Sequence, residues 1–262
     1  MSLWECIVLG IIEGLTEFLP VSSTFHLIAA GRLLGLGAGE FAKLFDVVIQ
    51  SGAILAVLIL YWKRLRTDPA LVKKTLLAFL PTAVIAVLSY RTIKDIFFES
   101  YIWMITIFIF VGLLFFAFEA LVKKGILKPE KALSGLTYRN AVLVGLAQCL
   151  AFFPGVSRAG AVILAMMVLG YRRDDSAAFS FLLAVPTILA AGAYDLYKTR
   201  ELLLSSGSSV FILLVGLGTA FAVAYLAVKW FIRYMQRHTL NLFGFYRLVA
   251  GALLFLLFSL SR

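Results

Sequence analysis

Two apolar segments of this 262-residue chain are interrupted in their middles, and those interruptions constrain the fold more than any other feature. Residues 3 to 19 and 22 to 36 flank Pro20, and residues 139 to 153 and 157 to 170 flank Pro154-Gly155. Proline removes a backbone donor and ends a helix. Each flanking piece is shorter than the ~20 apolar residues that cross a bilayer. A helix, a break and a second helix in such a sequence predict a re-entrant hairpin. Irregular backbone at membrane depth is tolerated only where protein or a water-filled cavity surrounds it.

The rest of the chain supplies the membrane context. It is 62% hydrophobic and 15% charged, where soluble domains are nearer half apolar and about a quarter charged. Continuous apolar runs occupy residues 41 to 62, 75 to 91, 101 to 122, 176 to 197, 209 to 231 and 243 to 260. They are too long and unbroken for barrel strands of alternating polarity. The expected fold is an all-α polytopic membrane protein with six spans and two re-entrant hairpins. The net charge of +10 does not argue for nucleic acid, because the cations lie in short loops beside apolar runs. Cys6 and Cys149 lie in apolar segments and are expected to pack as small hydrophobes. No basic stretch precedes the first apolar run, and Glu13 interrupts it, so that segment is expected to stay in place.

The halves repeat. Gly10 to Ser23 aligns with Gly145 to Arg158 at an offset of 135 residues, and the segment from Phe45 aligns with that from Phe179 near an offset of 134. The chain is expected to be one membrane domain over 1–262, with repeat one at about 1–124 and repeat two at about 137–262. Each repeat is one hairpin plus three spans. Three crossings are odd, so the second repeat must be inverted, and such folds place their site between the repeats. Segments 63–74, 123–139, 171–175 and 229–238 carry fifteen Lys and Arg, against seven in the opposite set. This favours both termini outside.

The stretch Glu13 to His26 puts carboxylates, hydroxyls and a histidine into the first broken segment. Ionisable groups at that depth cost ~2.5–3.5 kcal/mol each on insertion scales, so their retention points to use. Glu13 and Glu17 share one helix face and could hold Mg²⁺ or Ca²⁺, which prefer carboxylate oxygens. Ser22 could cap the following helix. Ser23 and His26 share a face and pair a hydroxyl with an imidazole, as nucleophilic or acid–base chemistry requires. Arg158 follows Ser157 and the second break, where helix N–H groups and a guanidinium would bind phosphate, or where the arginine could pair with Glu13 or Glu17. Asp46 and Gln50 could support the metal from behind or simply join helices. Tyr246 and Arg247 fall near a span end and read as interfacial anchors.

On these residues the sequence resembles the undecaprenyl pyrophosphate phosphatase family of bacitracin-resistance proteins. The resemblance is carried by Glu13 to Thr24 with His26, Phe45 to Gln50, Pro154 to Arg158 and Phe179 to Pro186. It implies hydrolysis of undecaprenyl diphosphate to undecaprenyl phosphate and inorganic phosphate, which recycles a lipid carrier for cell-wall synthesis. It further implies a divalent cation, a dimer and a site on the outer side of the bacterial cytoplasmic membrane. Glu13 and Glu17 match the family's acidic pair. Ser23 and His26 match its nucleophile and acid–base residues, with either of the two as the attacking group, and Ser157 and Arg158 its phosphate-binding pair. Ser22 and Thr24 stand beside them as further phosphate-contacting hydroxyls. The chain departs from the usual pattern at Phe25, where glycine is common, and at Ala159 and Val162, where serine and threonine are common. The alternative on the same architecture is a prenyl phosphate transporter or flippase, with Glu13 and Glu17 as proton relay.

Overall fold

The computed structural model describes residues 1–36, 39–97, 101–198 and 207–260. The Ser- and Gly-rich stretch near Ser205, where the sequence predicts a flexible turn, and the cations Arg200 and Arg262 lie outside them. The described residues are helical, with no strand and one isolated parallel bridge between Lys131 and Tyr171.

Helix α1 spans Leu3–Thr16 and opens on a capping box, Ser2 with Glu5. Pro20 lies in the turn that follows, and α2 spans Ser23–Leu33. Then come α3, Glu40–Thr67, and α4, Pro69–Phe97. Helix α4 starts six residues before the expected run at 75. Asp68 and Pro69 are the reason: Pro69 fits the first helical position, and the Asp68 carboxylate accepts the Leu71 N–H at 2.9 Å. Helix α5 spans Tyr101–Lys123.

The second broken segment folds in the same way. Helix α6, Tyr138–Gln148, tightens into a 3₁₀ turn over Cys149–Phe152, and α7 spans Arg158–Val168. Between them Gly155 has φ +94°, and a Cβ there would collide with the Met104 carbonyl, so only glycine fits this turn. The chain finishes with α8, Arg173–Lys198, α9, Gly207–Arg237, and α10, Asn241–Leu260.

Among the described residues five helices, α3, α4, α5, α8 and α9, are long and apolar enough to cross a membrane. The described apolar stretch of α10, Asn241–Leu257, is shorter. Val87 and Leu88 are 85% and 78% exposed, as side chains facing lipid would be.

The packing joins the two halves. Helix α1 lies against α9, while α6 lies against α4, and α3 packs on both α8 and α9. The α1–α9 approach depends on small residues. A Cβ at Gly10 would stand 2.9 Å from the Gly216 carbonyl oxygen, and one at Gly14 2.7 Å from that of Ala220. Lipid tails are as apolar as leucine, so such close van der Waals contact drives helix association in a membrane. One large cluster joins α1's end to the far half, with Phe18 edge-on to Phe181 at 5.3 Å.

Candidate active site

Both breaks open on one cavity of about 180 Å³. The first hairpin contributes Glu17, Ser22, Ser23 and Thr24, and the second contributes Phe152, Val156, Ser157 and Arg158. Gln50, Thr82, Gln148 and Thr187 complete the wall from α3, α4, α6 and α8.

Glu17 joins the hairpins. Arg158 Nη2 donates to Glu17 Oε1 at 2.8 Å, and the Ser23 hydroxyl donates to Glu17 Oε2. Arg158 Nη1 is held by the Ser180 carbonyl at 3.1 Å. The buried ion pair weighed for Arg158 is therefore present, and its partner is Glu17. Ser157 caps α7 by accepting the Gly160 N–H at 3.1 Å and reaches back to the Leu19 carbonyl at 3.4 Å. The α7 N-terminus thus faces the cavity with N–H groups and a guanidinium, which is an anion-binding arrangement.

Glu13 is fully buried, and among the described residues neither of its carboxylate oxygens has a hydrogen-bond partner. Glu17 and Asp46 place more negative charge beside it. A buried polar group left unpaired costs several kcal/mol, of order 2–7. Among the described residues no cluster of three or more His, Cys, Asp or Glu side chains could hold a metal alone. Mg²⁺ characteristically takes one or two carboxylates and completes its shell with substrate phosphates. The orphaned Glu13 oxygens beside Glu17 fit that donor set.

His26 is not directed at Ser23. Its Nδ1 lies 2.8 Å from the Ser22 carbonyl, which can only accept, so Nδ1 carries the proton. In the neutral ring Nε2 then accepts from the Tyr246 hydroxyl at 2.6 Å. Ser22 is no side-chain cap, which corrects that expectation. Its φ of 66° and ψ of 91° turn its carbonyl toward His26, and its side chain makes no cap hydrogen bond. Among the described residues it is the one non-glycine position with positive φ.

Arg247 is not an interfacial anchor. Arg247 is 0% exposed, donates to the carbonyls of Pro20, Phe108 and Gly155, and lies over the rings of Phe108 and Phe115. Sequence position near a span end gave no sign of this. Gln148, the repeat counterpart of Glu13, donates to the hydroxyls of Thr82 at 2.8 Å and Thr187 at 3.2 Å. The two threonines follow Pro81 and Pro186 inside α4 and α8, and that mid-span polarity was the available signal. Asp46 and Gln50 both lie on α3, but only Gln50 lines the cavity.

Phe25 is fully buried and stacks on Phe108 with centroids 3.8 Å apart. Ala159 and Val162 are also fully buried. The three departures from the usual pattern therefore sit in the core and not in the cavity wall.

The sequence profile described as "Bacitracin resistance protein BacA" matches residues 6–253. The chain belongs to the BacA family. Among its curated relatives is a Campylobacter hominis protein named undecaprenyl-diphosphatase, 44% identical over 97% of this chain and 99% of that one. A Persephonella marina protein of the same name is 44% identical over 99% of this chain and all of the relative. An Aquifex aeolicus protein, also so named, is 39% identical over 96% of each. The BacA family match takes in both hairpins and every cavity residue named above.

Proposed function

We propose that this protein is an undecaprenyl-diphosphatase, an integral-membrane hydrolase that splits undecaprenyl diphosphate into undecaprenyl phosphate and inorganic phosphate. The observation that carries the reading is the Ser23–Glu17–Arg158 chain of hydrogen bonds across both hairpins in one cavity. A diphosphate needs a positive wall and a nucleophile together, and this cavity has both.

In the mechanism we propose, Arg158 and the α7 N–H groups bind the terminal phosphate and stabilise charge as it develops. Glu17 takes the Ser23 proton as Ser23 Oγ attacks the terminal phosphorus. A bond forms between Ser23 Oγ and phosphorus, and the bond from phosphorus to the bridging oxygen breaks. The bridging oxygen leaves with undecaprenyl phosphate, whose second negative charge needs no proton. Water then attacks the phosphoserine, the Ser23 Oγ–phosphorus bond breaks as Glu17 returns its proton to Oγ, and inorganic phosphate departs carrying the protons of the water. His26, held by Ser22 and Tyr246, orders the first break from behind. Ser157, Ser22 and Thr24 supply further phosphate contacts. A divalent cation, Mg²⁺ or Ca²⁺, would be held by Glu13 and Glu17, and when bound it would neutralise phosphate oxygens.

The same proposal sets the chain in the bacterial cytoplasmic membrane as six spans and two re-entrant hairpins in inverted repeats, 1–124 and 137–262. The reciprocal packing of α1 on α9 and α6 on α4 supports it. The charge asymmetry supports termini and active site on the outer side. A homodimer is proposed on the resemblance alone.

The test is inorganic phosphate released from undecaprenyl diphosphate by purified protein in detergent with Mg²⁺. The reading predicts release that a chelator abolishes. No release, with movement of prenyl phosphate across liposomes instead, would establish the transporter.

A further inference from the structure

Arg247 is 0% exposed, and among the described residues no carboxylate pairs with it. A buried cation of this kind is costly, and an apolar side chain of similar volume is often at least as stabilising. Its presence points to a role in specifying geometry. Arg247 Nε donates to the Pro20 carbonyl at 2.9 Å, and Nη1 donates to the carbonyls of Phe108 and Gly155, each at 3.1 Å.

Pro20 and Gly155 are counterparts at the 135-residue repeat offset. Each lies two residues before the N-cap serine of a half-helix, Ser22 in the first hairpin and Ser157 in the second. Each lies three residues before a cavity side chain, Ser23 in one case and Arg158 in the other. One guanidinium from α10 thus grips equivalent points on both hairpin tips. The third acceptor, on α5, and the faces of Phe108 and Phe115 at 4.6 and 5.5 Å fix the plane of the guanidinium.

We propose that Arg247 is a positioning residue that ties the two hairpin tips together and so sets the register of Ser23 against Arg158. It does not line the cavity; it acts through the backbone at Pro20 and Gly155. A planar fork can reach two carbonyls on different segments, whereas a lysine ammonium on its flexible stem holds no such fixed geometry. The catalytic consequence rests on the phosphatase reading, and the geometric one does not.

The experiment compares Arg247→Met and Arg247→Lys with the unaltered protein in detergent, by amide hydrogen exchange and by phosphate release. Residues 18–23 and 153–157 are expected to exchange faster in both variants, while α3 and α8 keep their protection. The kcat for phosphate release should fall about 100-fold in Arg247→Met, as an ångström-scale misplacement of reacting groups produces, with a much smaller change in KM. Should Arg247→Met not fold, Arg247→Lys carries the same comparison. Unchanged exchange at both tips overturns the inference, as does a rise spread evenly over all helices, or an unaltered kcat. If the unaltered protein releases no phosphate, the phosphatase reading fails and tip exchange alone decides the brace.

Discussion

Arg158 and Glu17 lie 141 residues apart in the chain and form a buried ion pair at 2.8 Å, linking one hairpin to the other. Glu17 is also the acceptor of the Ser23 hydroxyl. One carboxylate therefore holds the Arg158 guanidinium and the Ser23 hydroxyl in the same cavity. Removing one partner of a buried pair leaves an uncompensated charge and costs ~3–5 kcal/mol. Glu17→Gln keeps the shape but loses the charge, and it should lower both thermal stability and phosphate release. A melt in detergent and a phosphate assay on the same preparation check this.

Ser23→Ala should reduce phosphate release by about 100-fold or more, because it removes the oxygen proposed to attack phosphorus. Acid quenching with terminally ³²P-labelled diphosphate should trap label on the unaltered protein and none on Ser23→Ala. Label retained by the variant would move the nucleophile to another hydroxyl, and label seen only after an alkaline quench, which preserves phosphohistidine, would move it to His26.

Tyr246→Phe deletes the hydroxyl that His26 Nε2 accepts at 2.6 Å. The net worth of such a bond at an exposed position is ~0.5–1.5 kcal/mol, so the melting temperature should fall slightly. Since His26 is turned from Ser23 toward Tyr246, kcat should change far less than in Ser23→Ala. A collapse of kcat equal to that of Ser23→Ala would put His26 in the chemical step.

Glu119 is buried at the opposite end of α5, where it accepts from Arg173 at 2.5 Å and from the Leu240 N–H at 2.9 Å. It ties α5 to the starts of α8 and α10. Glu119→Ala should cost ~3–5 kcal/mol by stranding Arg173 and a backbone donor. The protein that remains folded should retain its kcat, because Glu119 takes no part in lining the cavity. Thermal melts and activity per folded molecule separate the two effects.

The hairpins and much of the cavity were legible in the sequence because their chemistry is local. Carboxylates and serines beside a proline in an apolar run stand out wherever the chain later goes, and so Glu17, Ser23 and Arg158 could be named early. Arg247 could not be. It lies six residues into α10, where a cation reads as an interfacial anchor, and its acceptor Pro20 is 227 residues away. The same holds for Tyr246, whose partner His26 is 220 residues distant. Ser22 misled for the opposite reason. Its residue type favours capping, but tertiary packing holds it at positive φ, a backbone state that costs a non-glycine residue ~1–3 kcal/mol.

The most direct measurement of the central claim is kcat for phosphate release from undecaprenyl diphosphate by Arg158→Ala, at a temperature where its melt shows it folded. A cavity shared between hairpins, with Arg158 as its positive wall, predicts a loss of about 100-fold or more. Activity equal to that of the unaltered protein would contradict the account.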